Sequence, residues 1–237
     1  MKKILINYAD RRYYNSQKNN TFSGLEIGGF TESINYNFND IDNEFKDENK
    51  EIFKHNRGAG YWIWKPYIIL KTLLTMKDDD ILFYCDSGSS FIDSFNKYLF
   101  DICLEDEKGL ILFNGEHKNY KYTKRDCFFY MDCDNEKFFN SLQLTATFQL
   151  MKKTEFVIDF YRSHLNYAKD YRILTDSPNE CGLDNYEGFI DHRHDQSILT
   201  NLQIKHGVTL FEDISQYGNK IREIKYGQLI NHHRNNS

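Results

Sequence analysis

The sequence predicts an α/β protein, a single domain built on a mostly parallel central sheet flanked by helices. Three observations predict it. Helical and extended patterns alternate along the chain, as they do where strands are joined through crossover helices. Trp64 to Met76 places Ile69, Leu73 and Met76 on one helical face, with Pro66 in the first turn. Ile81 to Cys85 is an unbroken apolar strand that ends on Asp86-Ser87-Gly88. Ligands of such sheets lie beyond the carboxyl ends of the strands, so Asp86 is the first place to look for chemistry.

From the N-terminus, Lys2 to Tyr8 reads as a first buried strand that turns polar at Ala9-Asp10-Arg11-Arg12, delivering a loop to a ligand site. Ser16 to Gly24 fits a short helix and, after Gly28-Gly29, Phe30 to Tyr36 a second strand. Asn37 to Asn49 is acidic and reads as a loop, and Glu48 to His55 as one or two helical turns ending at Arg57-Gly58-Ala59-Gly60. Beyond the central strand, Ser94 to Leu104 is helical in spacing and Leu110 to Phe113 is a strand ending at Asn114-Gly115. Thr123 to Phe139 suggests two short helices around an Asp132 to Asn135 turn, and Gln143 to Met151 a strand. Thr154 caps an amphipathic helix over Glu155 to Ala168, and Asp170 to Gly188 is irregular enough to cover a pocket. His194 to Gln203 is a helix and Gly207 to Phe211 a last short strand, with a polar, basic tail after it.

The 237 residues, 40% of them hydrophobic, suffice for one sizeable core. A net charge of -5 without long runs of Lys or Arg excludes the cationic footprint of a nucleic-acid-binding protein. The apolar run near the N-terminus is too short for a signal-peptide core, and no stretch suits a membrane span. Five cysteines without CxxC spacing fit a reducing, cytoplasmic setting better than a disulfide framework.

Four groups of residues are candidates for chemistry. Asp86, followed by Ser87 and Gly88, suits a divalent cation bridging two phosphates, since hard cations take oxygen ligands; the bland alternative is an Asp-Ser-Gly turn. Arg57 and Lys65, close in sequence and beside flexible glycines, suit a pyrophosphate, whereas Trp62 and Trp64 read as core or platform residues. His192-Arg193-His194-Asp195-Gln196-Ser197 is the densest polar cluster. There Asp195 caps a helix and can bind sugar hydroxyls, and Gln196 offers donor and acceptor; the alternatives are an ordinary cap with exposed histidines, or a zinc site on His192 and His194. His232 and His233 with Arg234 form the last cluster, able to fold back to a metal and a diphosphate or to fray as a tail.

The order of these features resembles a nucleotide-sugar-dependent glycosyltransferase of the GT-A type. Within that class it is most similar to bacterial and viral proteins carrying the motifs RGxGYWxWKP and HRHDQS, here Arg57 to Pro66 and His192 to Ser197. More distantly it resembles glycogenin-like and galactosyl- or mannosyltransferases with a Trp-x-Lys helix before an Asp-x-Asp strand. The close resemblance covers roughly residues 1–210 and implies a GT-A domain; the chain is read as one such domain over residues 1–237, with a tail from about 215 to 237 able to fold back over the site. It implies transfer of a sugar from a nucleotide diphosphate donor, a UDP-sugar favoured, to a glycan or other hydroxyl acceptor, assisted by Mn²⁺ or Mg²⁺. Asp86, His232 and His233 would be the metal ligands. Asn7 and Tyr8 would line the base site, and Arg57, Lys65, Ser87, Gly88 and Arg234 would lie near the diphosphate. Asp195 and Gln196 would be catalytic, with His194 beside them and Gln143 and Thr145 bordering the sugar pocket. The chain departs from the Asp-x-Asp pattern at Gly88, which removes one carboxylate. An inactive sugar-nucleotide or glycan-binding domain, and a metal-dependent nucleotidyltransferase or hydrolase, are the competing readings.

Overall fold

The computed structural model describes residues 1–216 and 227–234. Among these, the main sheet has six strands: β1 (Lys3–Tyr8), β2 (Glu32–Tyr36), β3 (Ile81–Cys85), β5 (Leu110–Lys118), β6 (Leu142–Lys152) and β7 (Leu210–Phe211). Their order is β2-β1-β3-β6-β5-β7, and a small second sheet pairs β4 (Ser90–Phe91) with β8 (Ile230–Asn231). β1 runs parallel to both β2 and β3, and β5 parallel to β7. β6 alone is antiparallel to its neighbours β3 and β5. The expected mostly parallel sheet is therefore present.

Strand alternation divides the core in two. Ile4, Ile6 and Tyr8 of β1 with Leu82 and Tyr84 of β3 face one layer. Leu5, Ile81, Phe83 and Cys85 face a second, which is filled by Phe30, Phe91, Phe95 and Phe100. Because every residue of β3 is buried on one face or the other, the strand reads as a continuous apolar run. Four helices position the site or brace it: α1 (Tyr14–Ser23), α2 (Trp64–Thr75), α3 (Glu155–Ala168) and α4 (His194–His206). The side chain of Thr154 accepts from Val157 N and so caps α3 as its sequence suggests.

Three expectations need correction. Asn37 to Asn49 is not a loop: Asn37 and Asp40 close a capping box over a 3-10 turn at Phe38–Asp40, and Asn43–Glu48 is helical. Phe45 drives that helix inward, stacking on Tyr67 with ring centroids 4.2 Å apart. The strand expected at Leu110 to Phe113 continues to Lys118, because β6 is long enough to pair with it across two register shifts. His192 and His194 are not exposed, at 2% and 1% accessibility. Their rings take up backbone groups, His192 Nε2 lying 2.9 Å from Ile173 O and His194 Nδ1 2.7 Å from Leu174 O, and among the described residues no three His, Cys, Asp or Glu side chains gather around them to hold zinc.

Candidate active site

The carboxyl ends of β1 and β3 open into a cleft of about 410 Å³. Tyr8, Asp10, Arg12 and Tyr13 reach it from the β1 exit, Tyr84, Asp86, Ser87 and Gly88 from the β3 exit, and Trp62 and Trp64 from the approach to α2. His232 and Arg234 close it from the returning tail. Ser87 Oγ donates to Tyr8 O at 2.7 Å, which ties the two strand exits together.

Beneath the cleft runs a chain of charges. Lys65 lies in the first turn of α2 with 3% accessibility; its ammonium is 3.0 Å from Asp195 Oδ2 and 3.5 Å from Asp86 Oδ1. It also donates to Ala146 O at 3.3 Å. Burial opposes the ammonium, but the two carboxylates outweigh it and raise the Lys65 pKa. Asp195 is itself pushed up to about 6, by burial first and against the pull of Lys65. Tyr84 OH donates to Asp86 Oδ1 at 2.5 Å, and burial raises that phenol well above its usual value. Asp86 is the partly exposed end of this chain, its side chain 33% accessible against 5% for Asp195.

The cleft wall contains a conformation that the sequence does not announce. Gly58, Ala59, Gly60, Tyr61 and Trp62 all have positive φ, at 57°, 51°, 93°, 52° and 60°. Tyr61 N donates to Arg57 O at 2.7 Å and Trp62 N to Gly58 O at 3.1 Å, so this is a left-handed helical turn. Each non-glycine residue in it costs about 1–2 kcal/mol, which the interleaved glycines reduce. The turn is braced by Trp64 Nε1, which donates to Gly58 O at 2.8 Å, and by His194, whose ring stacks on Trp62 at 5.5 Å. Trp64 in turn stacks on Tyr8 with centroids 3.8 Å apart, leaving the buried Tyr8 OH without a hydrogen-bond partner among the described residues.

A second cleft, of about 270 Å³, adjoins the first across Thr147, His232 and Arg234. Its polar lining includes Glu116, His117, Arg193, Gln196, Asp213 and Thr145. Gln143 also lines it and is joined to Gln196, whose Nε2 donates to Gln143 Oε1 at 2.9 Å.

The fold thus brings Tyr8, Asp86, Ser87, Gly88, His232 and Arg234 to one cleft and Gln143, Thr145 and Gln196 to its neighbour. Lys65 and Asp195 stand behind the first cleft, among the lining residues of neither. Asn7 is fully buried and turned to α1, its Nδ2 donating to Asn20 Oδ1 at 2.9 Å. Arg57 points away to Asp176 and Asp191, at 3.0 and 2.5 Å. His194 supports Trp62 from behind, and His233, partly buried, lines neither cleft. Asp195 does not cap α4; Arg193 holds the cap position and the Asp195 side chain turns to Lys65. Sequence reasoning missed Tyr13 and Thr147 in the first cleft and Glu116, His117 and Asp213 in the second, and it placed Arg12 in a ligand-site loop and Arg193 in a polar cluster without giving either a role. A signal for Arg12 and Tyr13 was available, since they directly follow a strand exit.

The donor set for a divalent cation is not assembled. Among the described residues no three His, Cys, Asp or Glu side chains gather to hold a metal ion. Asp86 Oδ1 is engaged by Tyr84 and Lys65, His232 Nε2 accepts from Arg234 Nε at 2.9 Å, and Gly88 contributes no side chain. Asp10, the cleft's other carboxylate, is paired with Arg12 at 2.7 Å, and a carboxylate beside an ammonium with another held by a guanidinium is a poor fit to a cation that needs several oxygen ligands.

No family model matches the chain, and no curated protein matches it significantly. Among solved structures, its fold is similar to that of mouse xyloside xylosyltransferase 1 in its apo form, at 9% identity and a TM-score of 0.51. The match covers 98% of this chain and 97% of that one. Two structures of the glycosyltransferase GlyE of Streptococcus pneumoniae TIGR4, one of them apo, align at 15% identity with a TM-score of 0.48. They cover 98% of this chain and 54% of theirs. The chain thus shares the α/β fold of that xylosyltransferase structure. Among the described residues no helix is long and apolar enough to cross a membrane.

Proposed function

We propose that the protein is a glycosyltransferase that moves a sugar from a nucleotide diphosphate donor, a UDP-sugar favoured, to a hydroxyl of a glycan or other acceptor. The observation that carries this reading is the cleft at the ends of β1 and β3, where the aromatic rings of Tyr8, Trp62 and Trp64 adjoin the cations Arg12 and Arg234. Aromatic faces suit a base and cations suit a diphosphate, and the unpartnered Tyr8 hydroxyl supplies a polar group for a ligand to satisfy. The fold of a xylosyltransferase agrees with it.

In the reaction, an acceptor oxygen attacks the anomeric carbon, the bond from that carbon to the phosphate oxygen breaks, and the nucleoside diphosphate leaves with the electron pair. Charge develops on the leaving group, so cations fixed beside it stabilise the transition state more than the ground state. Arg234 is suited to that role, and Arg12, whose guanidinium pairs with Asp10 at 2.7 Å, would join it by exchanging that carboxylate for phosphate oxygens. Lys65 and Asp195 are positioning residues in this scheme: they fix Asp86 and the α2 start against the cleft floor. The second cleft takes the acceptor, with Gln196, held in place by the buried Gln143, binding sugar hydroxyls and Glu116 or Asp213 accepting the proton released by the attacking hydroxyl. Because the cation donor set is incomplete, no step is assigned to Mn²⁺ or Mg²⁺.

Isothermal titration with UDP, GDP and CMP and their sugars, followed by measurement of nucleotide release, tests the proposal. Binding and turnover of one sugar nucleotide are expected. Absence of binding by every nucleotide overturns the reading, and binding without turnover in the presence of glycan acceptors leaves a binding domain.

A further inference from the structure

Three features of the returning tail converge on one point of the cleft. β8 pairs with β4, so the tail is held as a strand against the segment that follows Asp86. Arg234 N donates to Gly88 O at 2.8 Å. A Cβ placed on Gly88 would come within 3.1 Å of Arg234 Cα, tighter than ordinary contact, so a side chain at position 88 would press on the tail backbone and require it to give. Gln216 then grips the backbone of His232 from both sides, accepting from His232 N and donating to His232 O, each at 2.7 Å. The His232 ring is fixed as well. Arg234 Nε is always a donor, so His232 Nε2 must be its acceptor, the ring proton sits on Nδ1, and Nδ1 donates to Ser89 Oγ at 2.8 Å. A carboxylate at position 88 and an imidazole lone pair facing the cleft would both serve a metal. Here the first is displaced by the tail backbone and the second is taken by a guanidinium.

We infer that Arg234 stands in this cleft where a divalent cation would otherwise be needed, so that nucleoside diphosphates bind without metal. This rests on the sugar-nucleotide reading above. The guanidinium carries a permanent charge, matches phosphate oxygens geometrically and is pre-positioned by its hydrogen bond to His232 and by the Gly88 contact, which lowers the entropy lost on binding. Gly88 is then the residue that makes room for the clamp rather than a damaged metal motif.

The experiment is titration of the full chain with UDP and GDP, once with EDTA and once with Mn²⁺, on the wild type, Arg234→Ala, Arg234→Lys and Gly88→Asp, with thermal unfolding as the folding control. The wild type is expected to bind one of the nucleotides in EDTA, with affinity changed by less than about threefold on adding Mn²⁺. Arg234→Ala is expected to weaken EDTA binding roughly tenfold to a hundredfold, the loss of a charge-assisted contact, with Arg234→Lys between the two. Gly88→Asp, which pushes the tail aside and restores a carboxylate, is expected to lose binding in EDTA and regain part of it with Mn²⁺. Wild-type binding that appears only with Mn²⁺ overturns the inference and leaves the sugar-nucleotide reading standing. Unchanged affinity in folded Arg234→Ala overturns it too, and absence of nucleotide binding in both conditions removes both readings together.

Discussion

The ammonium of Lys65 lies 3.0 Å from the carboxylate of Asp195, and both side chains are within 5% of complete burial. An ion pair at that depth contributes little net stability when intact, because desolvation offsets its attraction, yet removing one partner strands the other. Lys65→Met is therefore expected to destabilise the fold by about 3–5 kcal/mol. The double variant Lys65→Met with Asp195→Leu is expected to recover much of that loss. Urea unfolding of the two single variants and the double variant gives the coupling; purely additive effects would show that the two side chains do not interact.

Tyr8 is 7% accessible and its hydroxyl has no hydrogen-bond partner among the described residues. Burying an unpaired hydroxyl costs roughly 1–3 kcal/mol. Tyr8→Phe is expected to leave the unfolding midpoint unchanged or raise it, while weakening nucleotide binding. A clear loss of stability together with unchanged nucleotide affinity would mean that the hydroxyl serves the fold and not a ligand.

The left-handed turn at 58–62 makes opposite predictions for neighbouring positions. Ala59 has φ 51°, so Ala59→Gly relieves strain and should stabilise the protein by about 1 kcal/mol, less the added entropy of the unfolded chain. Gly60 has φ 93°, and a Cβ there would lie 2.9 Å from Phe53 Cδ1, so Gly60→Ala should destabilise by about 2 kcal/mol or more. Thermal melts of the pair test the sign, and destabilisation by Ala59→Gly would argue against the turn.

Stability should fall as the solution is acidified from neutrality. Burial lowers the pKa of His164 to about 3, of His194 to about 4 and of His192 well below its usual value. A histidine with a depressed folded pKa binds its proton more readily when unfolded, so its contribution is complete above about 6.5 and is lost as pH falls toward the folded pKa. Each adds a slope of about 1.4 kcal/mol per pH unit across that window. Asp195, raised to about 6, acts in the opposite sense between its unfolded pKa of about 4 and 6, offsetting one of the three protons. Urea unfolding between pH 5 and 8 should show the decline, and His164→Leu should reduce its slope by about one proton. An unchanged slope would mean that His164 is not held neutral in the core.

Much of this architecture is set by local sequence. The continuous apolar run Ile81 to Cys85 dictates a strand buried on both faces, and Pro66 with the Ile69 and Leu73 spacing dictates α2; both occur at the expected positions because burial on a fixed period is a local property. Asp86 at the strand exit and Lys65 at the helix start follow from those two elements, as does the cleft between them. Tertiary structure decided the rest. Asp195 looked like a helix cap because the local pattern offers nothing else, and only the packing of α4 against β6 and α3 turns it to Lys65. Arg57 looked like a phosphate ligand until folding brought Asp176 and Asp191 to it, and the five left-handed residues beside it are fixed by Trp64 and His194 rather than by their own propensities. Gly88 read as a missing carboxylate, whereas in the fold it is the gap into which the backbone of Arg234 settles, a contact between chain segments that no local pattern encodes.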